Sequence, residues 1–280
     1  MITVTSIKEL KEVVNKVRKN STVGLVPTMG FLHEGHMSLV KQAKETVDFV
    51  VMSIFVNPTQ FGPGEDFEKY PRDLARDEQL AREGGVDLLF TPRVEEMYPK
   101  PGRTTVHVSG ITEKLCGASR PGHFDGVSLV VSKLFHLVQP DYAFFGLKDA
   151  QQVAVIEQMV QDLNFPVTIV PCEIVREADG LALSSRNVYL SPEQRKEALI
   201  LSQSLKHVKE RFLNGERNAE VLRQEAITLI EESPLAQIDY VSLLSYPELE
   251  TVSYIDSPAI IALAVRFGNT RLIDNALLKN

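Results

Sequence analysis

Alternating strand-like and helix-like segments over the first 170 residues constrain the fold most strongly. Short apolar runs of strand length are separated by stretches whose apolar residues recur at a helical period. The predicted strands are Thr22–Val26, Phe49–Val56, Val86–Phe90, Tyr142–Phe145 and Val167–Val170, with Thr104–Val108 as a further candidate. The predicted helices are Ser6–Lys19, Met37–Val47, Tyr70–Glu83, a stripe from Val127 to Val138, and Ala150–Leu163. Such alternation predicts right-handed βαβ units and a doubly wound parallel sheet of the α/β class.

The pattern changes near residue 175. A long helix is predicted over Ser191–Leu213, because Ser191, Pro192 and Gln194 have the spacing of a capping box with proline at the first helical position. A second helix over Asn218–Glu232 precedes strands predicted at Ile238–Leu244, Ala259–Phe267 and Arg271–Ile273. Helices followed by strands indicate a smaller α+β domain. The predicted domains are therefore residues 1–175 and 176–280.

Charge and cysteine content exclude several classes of function. The 280 residues carry a net charge of -7, which disfavours binding to nucleic acid or to an anionic membrane surface. Cys116 and Cys172 are too few for a four-thiolate metal site. The N-terminus does not resemble a secretory leader, and no apolar run approaches the ~20 residues of a membrane span. We expect a cytoplasmic protein with reduced thiols.

The segment Pro27–His36 joins the first core strand to its following helix. Ligands of open parallel sheets bind at the carboxyl ends of the strands, so this loop lies where a ligand is expected. Gly30 and Gly35 permit close backbone approach. His33 and His36 lie near a helix N-terminus, whose free N–H groups favour a phosphate, and both imidazoles can donate hydrogen bonds to it.

Familiar motifs do not match this loop. His36-Met37 replaces the lysine and hydroxyl of a Walker A motif, and the G-x-G-x-x-G dinucleotide fingerprint is absent. The second histidine comes one residue too early for H-E-x-x-H. A metal pair is disfavoured because no third ligand has suitable spacing. From the residues alone, two histidines on a surface loop remain as reasonable as an anion site.

Four further segments contain polar or charged groups between predicted elements, namely Phe55–Phe61, Arg120–Val127, Phe145–Gln152 and Ile174–Asn187. Taken alone, each has a simple structural interpretation. Asn57 suits a turn before proline, and Asp125 and Asp149 suit helix N-caps. Lys148 is then an exposed cation, and Ser184–Asn187 a polar turn between domains.

Together, these strings resemble one enzyme family. Val26-Pro27-Thr28-Met29-Gly30 followed by His33-Glu34-Gly35-His36 closely resembles the nucleotide-binding signature of the pantoate–β-alanine ligases, within the H-x-G-H nucleotidylyltransferase superfamily. V-N-P-x-Q-F, R-P-G-H-F-x-G-V, G-x-K-D-x-x-Q and S-S-R-N agree with the same family. The resemblance implies a Rossmann-like fold for residues 1–175, which would bind ATP and pantoate, and a C-terminal lid domain.

The resemblance also implies roles for individual residues. The implied catalytic residues are His33, His36 and Lys148. The implied ATP-binding residues are Met29, Gly30, His33, His36, Gly146, Lys148, Asp149, Val175, Leu183, Ser184, Ser185 and Arg186. The implied substrate-binding residues are Asn57, Gln60 and Gln152. No protein metal ligand is implied, because Mg²⁺ would be bound mainly by the ATP phosphates. Leu147, Leu183 and Cys116 depart from the usual Glu, Met and Glu of the family.

The reaction implied by the family joins (R)-pantoate to β-alanine with ATP, through an enzyme-bound pantoyl adenylate, and releases AMP and pyrophosphate. A homodimer is implied as well. Two other functions remain open on the sequence. One is a nucleotidylyltransferase that releases a stable nucleotide conjugate, and the other is a non-catalytic nucleotide sensor. The Asn57–Phe61 and Ser184–Asn187 strings disfavour the former.

Overall fold

Six parallel strands form one sheet in the computed structural model, which describes residues 1–279. Their order across the sheet is β1-β4-β3-β2-β5-β6. From β2 the chain moves outward in one direction through β3 and β4, then returns to β5 on the other side of β2. The strands are β1 (Ile2–Val4), β2 (Val23–Thr28), β3 (Phe49–Ile54), β4 (Leu88–Phe90), β5 (Tyr142–Gly146) and β6 (Thr168–Cys172). The predicted doubly wound α/β sheet is confirmed.

Helices connect these strands. They are α1 (Ile7–Val17), α2 (Glu34–Thr46), α3 (Leu74–Glu83), α4 (Val94–Met97), α5 (Leu115–Ser119), α6 (His123–Val138) and α7 (Ala150–Asp162). One core cluster joins α2 and α3 to the sheet, with Val40, Met52 and Phe144 fully buried. The apolar stripe of each helix therefore covers the continuous apolar runs of the strands, as expected for a parallel sheet.

The C-terminal residues form a second sheet. It is antiparallel, with the order β7-β8-β9, and its strands are β7 (Ala236–Ser245), β8 (Ala259–Phe267) and β9 (Thr270–Leu278). Three helices belong to this part of the chain, namely α8 (Pro192–Glu197), α9 (Leu199–Leu213) and α10 (Ala219–Glu231). Leu205, Leu222 and Leu263 belong to the core between the helices and the sheet. The predicted smaller α+β architecture is confirmed.

The described chain divides into two units. The first contains Met1–Gly110, Arg120–Leu147 and Val155–Glu173. The second contains Ile111–Ser119, Lys148–Ala154 and the residues from Ile174 onward. Two short segments from the first 175 residues thus group with the C-terminal sheet. Within residues 1–279, every helix is too short or too polar to cross a membrane.

Two local predictions were wrong, and one strand was missed. Thr104–Val108 forms no strand, because its residues are mostly exposed and pair with no ladder. The edge strand β1 was missed, since three residues give too little pattern to read. Ser191–Leu213 is two helices that meet at Ala198, although the predicted capping box at Ser191 is present.

Candidate active site

The chain reverses its direction of travel across the first sheet between β2 and β5. Thr28 ends β2 beside Ile54, which ends β3, while Leu25 pairs with Ala143 of β5 on the other side. The loops that follow β2, β3 and β5 therefore leave neighbouring strands at one edge of the sheet. This edge is the usual ligand position in an open α/β fold. The Met29–His36 segment, Asn57 with Gln60, and Gly146 all begin here.

The backbone of Met29–His36, called the histidine loop below, is tightly constrained. Gly30 and Phe31 have positive φ angles of 83° and 49°. The carboxylate of Asp77 on α3 accepts the backbone N–H groups of Phe31 and Leu32, each at 2.7 Å. A Cβ on Gly30 would lie 2.9 Å from Asp77 Oδ2 and 2.9 Å from Ile54 Cγ2. Glycine is therefore required here by both conformation and space.

Asp77 is a buried carboxylate, only 1% exposed, in the first turn of α3. Burial raises the pKa of its carboxyl, and the two backbone N–H bonds oppose that rise without cancelling it. The neighbouring Arg76 donates to the carbonyl of Leu32 at 2.9 Å and lies over the ring of Phe31. Sequence reasoning missed Asp77. The available signal was an acidic residue on the apolar face of a predicted amphipathic helix.

The two histidines begin α2, and their tautomers follow from backbone contacts. His33 is the N-cap, and its Nδ1 accepts from the N–H of Gly35 at 3.1 Å. The Nδ1 of His36 accepts from the N–H of His33 at 3.3 Å, and the ring centroids are 4.0 Å apart. Because each Nδ1 is an acceptor, each neutral ring has its proton on Nε2. The loop therefore presents two imidazole Nε2–H donors at a helix N-terminus, as an anion site requires.

An open groove of about 1040 Å³ lies along the same edge of the first unit. Residues that follow β1, β2, β3 and β4 line it, and they include Ser6, Met29, Phe55 and Thr91. Arg72 and Asp77 supply charge of both signs. The groove is large enough for a ligand of nucleotide size, but its lining does not include His33, His36 or Gln60.

Asn57 and Gln60 lie in the turn after β3. Asn57 is fully buried and caps the 3₁₀ turn Pro58–Gln60. Its Nδ2 donates to Oε1 of Gln60 at 3.0 Å and to the carbonyl of Gly126 at 3.1 Å. The hydroxyl of Tyr98 donates to Oδ1 of Asn57 at 3.0 Å. The side-chain amide of Asn57 therefore forms its hydrogen bonds with protein groups, and one of these bonds positions the side chain of Gln60.

The R-P-G-H-F-x-G-V string supports this turn from α6. A Cβ on Gly126 would lie 2.1 Å from the carbonyl oxygen of Thr59, so only glycine lets the helix approach so closely. The imidazole Nδ1 of His123 lies 2.8 Å from the carbonyl oxygen of Gln60, and Arg120 donates to the same oxygen at 3.2 Å. Arg120 also forms a salt bridge with Glu65 at 2.6 Å. The helix N-cap is Gly122, so the predicted cap at Asp125 was wrong.

Lys148 and the residues around it begin the α7 region. Lys148 lies in the 3₁₀ turn Leu147–Asp149, and Asn275 of β9 donates to its backbone carbonyl at 3.1 Å. In the described part of the chain its ammonium forms no salt bridge, which leaves the charge for a ligand. Leu147 is 7% exposed, so the position of the usual family Glu is filled by a buried apolar side chain. Asp149 is exposed and Gln152 is half-buried.

Gln151, which sequence reasoning passed over, serves the structure of the second unit. Its Oε1 accepts from the N–H of Cys116 at 3.0 Å, and its Nε2 donates to the carbonyls of Ile111 and Lys114. Cys116 also lies 3.3 Å from the hydroxyl of Tyr240 and accepts from Arg271. These contacts attach the Ile111–Ser119 segment to its own unit.

The segment Val175–Asn187, called the serine loop below, folds back on itself. The N–H of Leu183 donates to the carbonyl of Val175 at 3.0 Å. Ser184 caps the 3₁₀ turn Ser185–Tyr189 and accepts from the N–H of Arg186 at 3.3 Å. Ser185 is 8% exposed. Asn187 donates from Nδ2 to Oε1 of Glu177 and to the carbonyl of Ala182, each at 3.1 Å.

Salt bridges complete the serine loop. Arg176 makes a two-pronged contact with Asp274 on β9, at 2.6 and 2.9 Å. Arg195 on α8 contacts Glu177 at 2.6 Å and Asp179 at 2.8 Å. The loop is therefore anchored at its base by a buried carboxylate, since Asp274 is 3% exposed, and near its tip by partly exposed charges.

The described residues offer no dedicated metal site. Among residues 1–279, no group of three His, Cys, Asp or Glu side chains could bind one metal ion. Asp77, the buried carboxylate beside the histidine loop, already accepts two backbone N–H groups. No chemical step is therefore assigned to a metal held by the protein alone.

Comparison with known proteins gives one consistent result. Residues 2–277 match the family model of pantoate–β-alanine ligase. A pantothenate synthetase of Pelotomaculum thermopropionicum is 58% identical over 279 residues, which cover 99% of each chain. A crystal structure of pantothenate synthetase from Thermus thermophilus is 47% identical with a TM-score of 0.95 and covers all of both chains.

A third relative was solved with ligands. It is a pantoate–β-alanine ligase from Francisella tularensis, described as a complex with β-γ ATP and β-alanine. It is 35% identical, covers 100% of this chain and 98% of its own, and has a TM-score of 0.82. Identity and coverage at this level go far beyond similarity of fold. The chain belongs to the pantoate–β-alanine ligase family.

Proposed function

We propose that this chain condenses (R)-pantoate with β-alanine at the expense of ATP, through a pantoyl-adenylate intermediate. The observation that carries the proposal is the histidine loop. Its His33 and His36 begin a helix at the switch point of the sheet, with both Nδ1 atoms engaged by backbone N–H groups. This arrangement suits the polyphosphate of ATP, and the family supplies the substrates.

The reaction has two steps. A carboxylate oxygen of pantoate attacks the α-phosphorus of ATP, the bond from that phosphorus to the β-phosphate oxygen breaks, and pyrophosphate leaves. The amine of β-alanine then attacks the acyl carbon, the bond to AMP breaks, and the nitrogen loses a proton. No protein nucleophile is required, so catalysis depends on positioning and on stabilising charge.

Negative charge grows on the leaving pyrophosphate in the first step. The Nε2–H groups of His33 and His36 donate to it, and the Lys148 ammonium supplies a compact cation. Ser184, Ser185 and Arg186 bind further phosphate oxygens, with the guanidinium able to contact two at once. Met29, Gly30, Gly146, Asp149, Val175 and Leu183 complete the proposed ATP contacts.

Gln60 and Gln152 bind pantoate in line with the α-phosphate, and Asn57 supports Gln60 through the hydrogen bond between their side-chain amides. The position of Gln60 supports this role. Gln60 lies in the turn that follows β3, and β3 pairs with β2, the strand that leads into the histidine loop. A displacement of about 1 Å at such a residue can cost on the order of 10²-fold in rate.

Further elements of the proposal come from the family. Mg²⁺ arrives with the ATP phosphates. The C-terminal residues 176–280 act as a lid that protects the mixed anhydride from water, while residues 1–175 bind ATP and pantoate. The enzyme works in the cytoplasm as a homodimer.

A product assay tests the proposed function. The purified chain is supplied with ATP, Mg²⁺, pantoate and β-alanine, and AMP, pyrophosphate and pantothenate are measured. We expect equal amounts of all three and no AMP when pantoate is omitted. Release of a nucleotide conjugate without any need for an amine would indicate a nucleotidylyltransferase instead. ATP binding without turnover would indicate a nucleotide sensor.

A further inference from the structure

A series of hydrogen bonds leads to the side chain of Gln60. It starts from backbone groups that can act only as a hydrogen-bond donor or only as an acceptor. Asn57 lies at its centre and is 0% exposed. Its Oδ1 lies 3.3 Å from the backbone nitrogen of Thr59, and its Nδ2 lies 3.1 Å from the backbone carbonyl of Gly126. A backbone N–H can only donate and a carbonyl can only accept. The amide of Asn57 therefore has one possible orientation.

That orientation determines the orientation of Gln60. The Nδ2 of Asn57 must donate, so the Gln60 atom 3.0 Å away must be the carbonyl oxygen Oε1. The Nε2 group of Gln60 is consequently the free end of its amide, and it donates no hydrogen bond to any described residue. Gln60 as a whole is 8% exposed. Gln60 thus offers the N–H donors of its Nε2 group to a ligand, while its Oε1 already accepts from Asn57.

Two hydroxyl groups reinforce the orientation of Asn57. Tyr98, after α4, and Thr59 each donate to its Oδ1 at 3.0 Å. Burial raises the pKa of Tyr98, which keeps its phenol protonated and hence a donor. The ring is fixed as well, because it packs near Phe55 and below the ammonium of Lys133. The packing of the ring therefore fixes the position of the Tyr98 hydroxyl beside Asn57.

We propose that Tyr98 is a positioning residue for the pantoate site, and that it acts through Asn57 to keep the amide donors of Gln60 directed at the substrate. The ligand atom that the Nε2 group of Gln60 contacts is then an oxygen acceptor of the hydroxy acid. This inference rests on the proposed function, in which Gln60 binds pantoate.

The first test replaces Tyr98 by Phe, which retains the ring and removes the hydroxyl. We expect the KM for pantoate to rise about 3- to 10-fold, the scale of one lost hydrogen bond. The KM for ATP and the thermal unfolding midpoint should stay near wild type. Tyr142→Phe, at the opposite end of the sheet, is the matched control and should change neither KM. An unchanged KM for pantoate, or equal rises in both KM values, would overturn the proposal.

The second test reverses the polarity of the free amide. Gln60→Glu can still accept from Asn57, but its ionised form offers no donor to the ligand. We expect kcat/KM for pantoate to fall on the order of 10²-fold at pH 8 and to recover in part as the carboxyl is protonated at lower pH. A wild-type kcat/KM for pantoate at pH 8 would contradict the assigned polarity, whatever Tyr98→Phe shows.

The two proposals fail in different ways. If the wild-type chain forms no AMP from ATP, pantoate and β-alanine, the proposed function is wrong. If the wild-type chain is active but Tyr98→Phe and Gln60→Glu both bind pantoate normally, only the role of Tyr98 and the donor polarity are wrong.

Discussion

The histidine loop and the serine loop both present groups suited to polyphosphate, but different forces hold them. In the histidine loop, Asp77 accepts two buried backbone N–H groups and Gly30 has no room for a side chain. In the serine loop, Arg195 contacts Glu177 and Asp179, whose side chains are 31% and 40% exposed. The first loop depends on a desolvated carboxylate, and the second depends near its tip on charges that water and salt can reach.

This difference bears on function. Buried hydrogen bonds to a charged group are strong and are screened little by salt, so Asp77 restrains the backbone of the histidine loop. Partly exposed ion pairs contribute little and are screened, so the tip of the serine loop can open at low cost. In the proposed function, the histidine loop would hold its hydrogen-bond donors in place for the phosphates of ATP, and the tip of the serine loop would move to admit ATP.

The largest effect is expected from Asp77→Ala. Removal of the carboxylate leaves the buried N–H groups of Phe31 and Leu32 without their acceptor, at a cost of roughly 2–5 kcal/mol in the free energy of unfolding. Adenylate formation should fall on the order of 10²-fold because the histidine loop shifts. Denaturant unfolding and a pantoate-dependent exchange assay measure both effects. Glu78→Ala, on the same helix, is the control and should cost less than about 0.5 kcal/mol. An equally stable Asp77→Ala variant would refute the account of this loop.

The pH dependence of stability provides a second test of Asp77. Because burial raises the pKa of this carboxyl, the folded state binds its proton more tightly than the unfolded chain. The stability of the wild type relative to Asp77→Asn should therefore increase as pH falls from 7 through the raised pKa, to a limit near the ordinary Asp value of about 4. If the stability difference between wild type and Asp77→Asn shrinks as pH falls over this range, the backbone hydrogen bonds lower the pKa of Asp77 by more than burial raises it.

Glycines with positive φ occur in both loops and allow a matched comparison. Gly30→Ala places a Cβ 2.9 Å from Asp77 Oδ2 and Ile54 Cγ2, whereas Gly180→Ala meets Ser202 Oγ at 3.1 Å. The backbone conformation alone costs about 1–2 kcal/mol in each variant. We expect Gly30→Ala to lose more stability and more adenylation activity, because the serine hydroxyl can rotate away and the buried carboxylate cannot. Equal losses would show that the loops are equally rigid.

The smallest effect is expected from Arg195→Gln. Its ion pairs should contribute about 0.5–1 kcal/mol at low salt and less at roughly 0.5 M salt. The KM for ATP should rise about 2- to 4-fold, and the difference from wild type should shrink as salt increases. Arg223→Gln removes an ion pair on α10 and is the control for loss of a cation. A large, salt-independent rise in KM would place Arg195 in direct contact with ATP.

The sequence predicted the features that depend on local pattern. Strand β8 is found at its predicted bounds, and the capping box at Ser191 is present, because both are determined by neighbouring residues. The position of His36 in the first turn of α2 follows from the same local signals. The predicted strand at Thr104–Val108 failed because strand propensity without a pairing partner does not make a sheet.

Contacts between distant segments could not be predicted in this way. Asp77 lies 45 residues beyond Leu32, and its role follows only from the packing of α3 beside the histidine loop. The close approach of Gly126 to Thr59, and the bond from Tyr98 to Asn57, depend equally on tertiary structure. Sequence patterns were enough to propose the side chains of the candidate site. They were not enough to predict Asp77, Gly126 and Tyr98, which hold those side chains in position.

In the proposed function, the histidine loop stabilises charge on departing pyrophosphate during formation of a pantoyl adenylate. Exchange of labelled pyrophosphate into ATP, with pantoate present and β-alanine absent, tests it most directly in the wild type and in His36→Ala. The account predicts pantoate-dependent exchange in the wild type and a loss of about 10²-fold or more in His36→Ala. Exchange at the wild-type rate in His36→Ala, or none in the wild type without β-alanine, would contradict it.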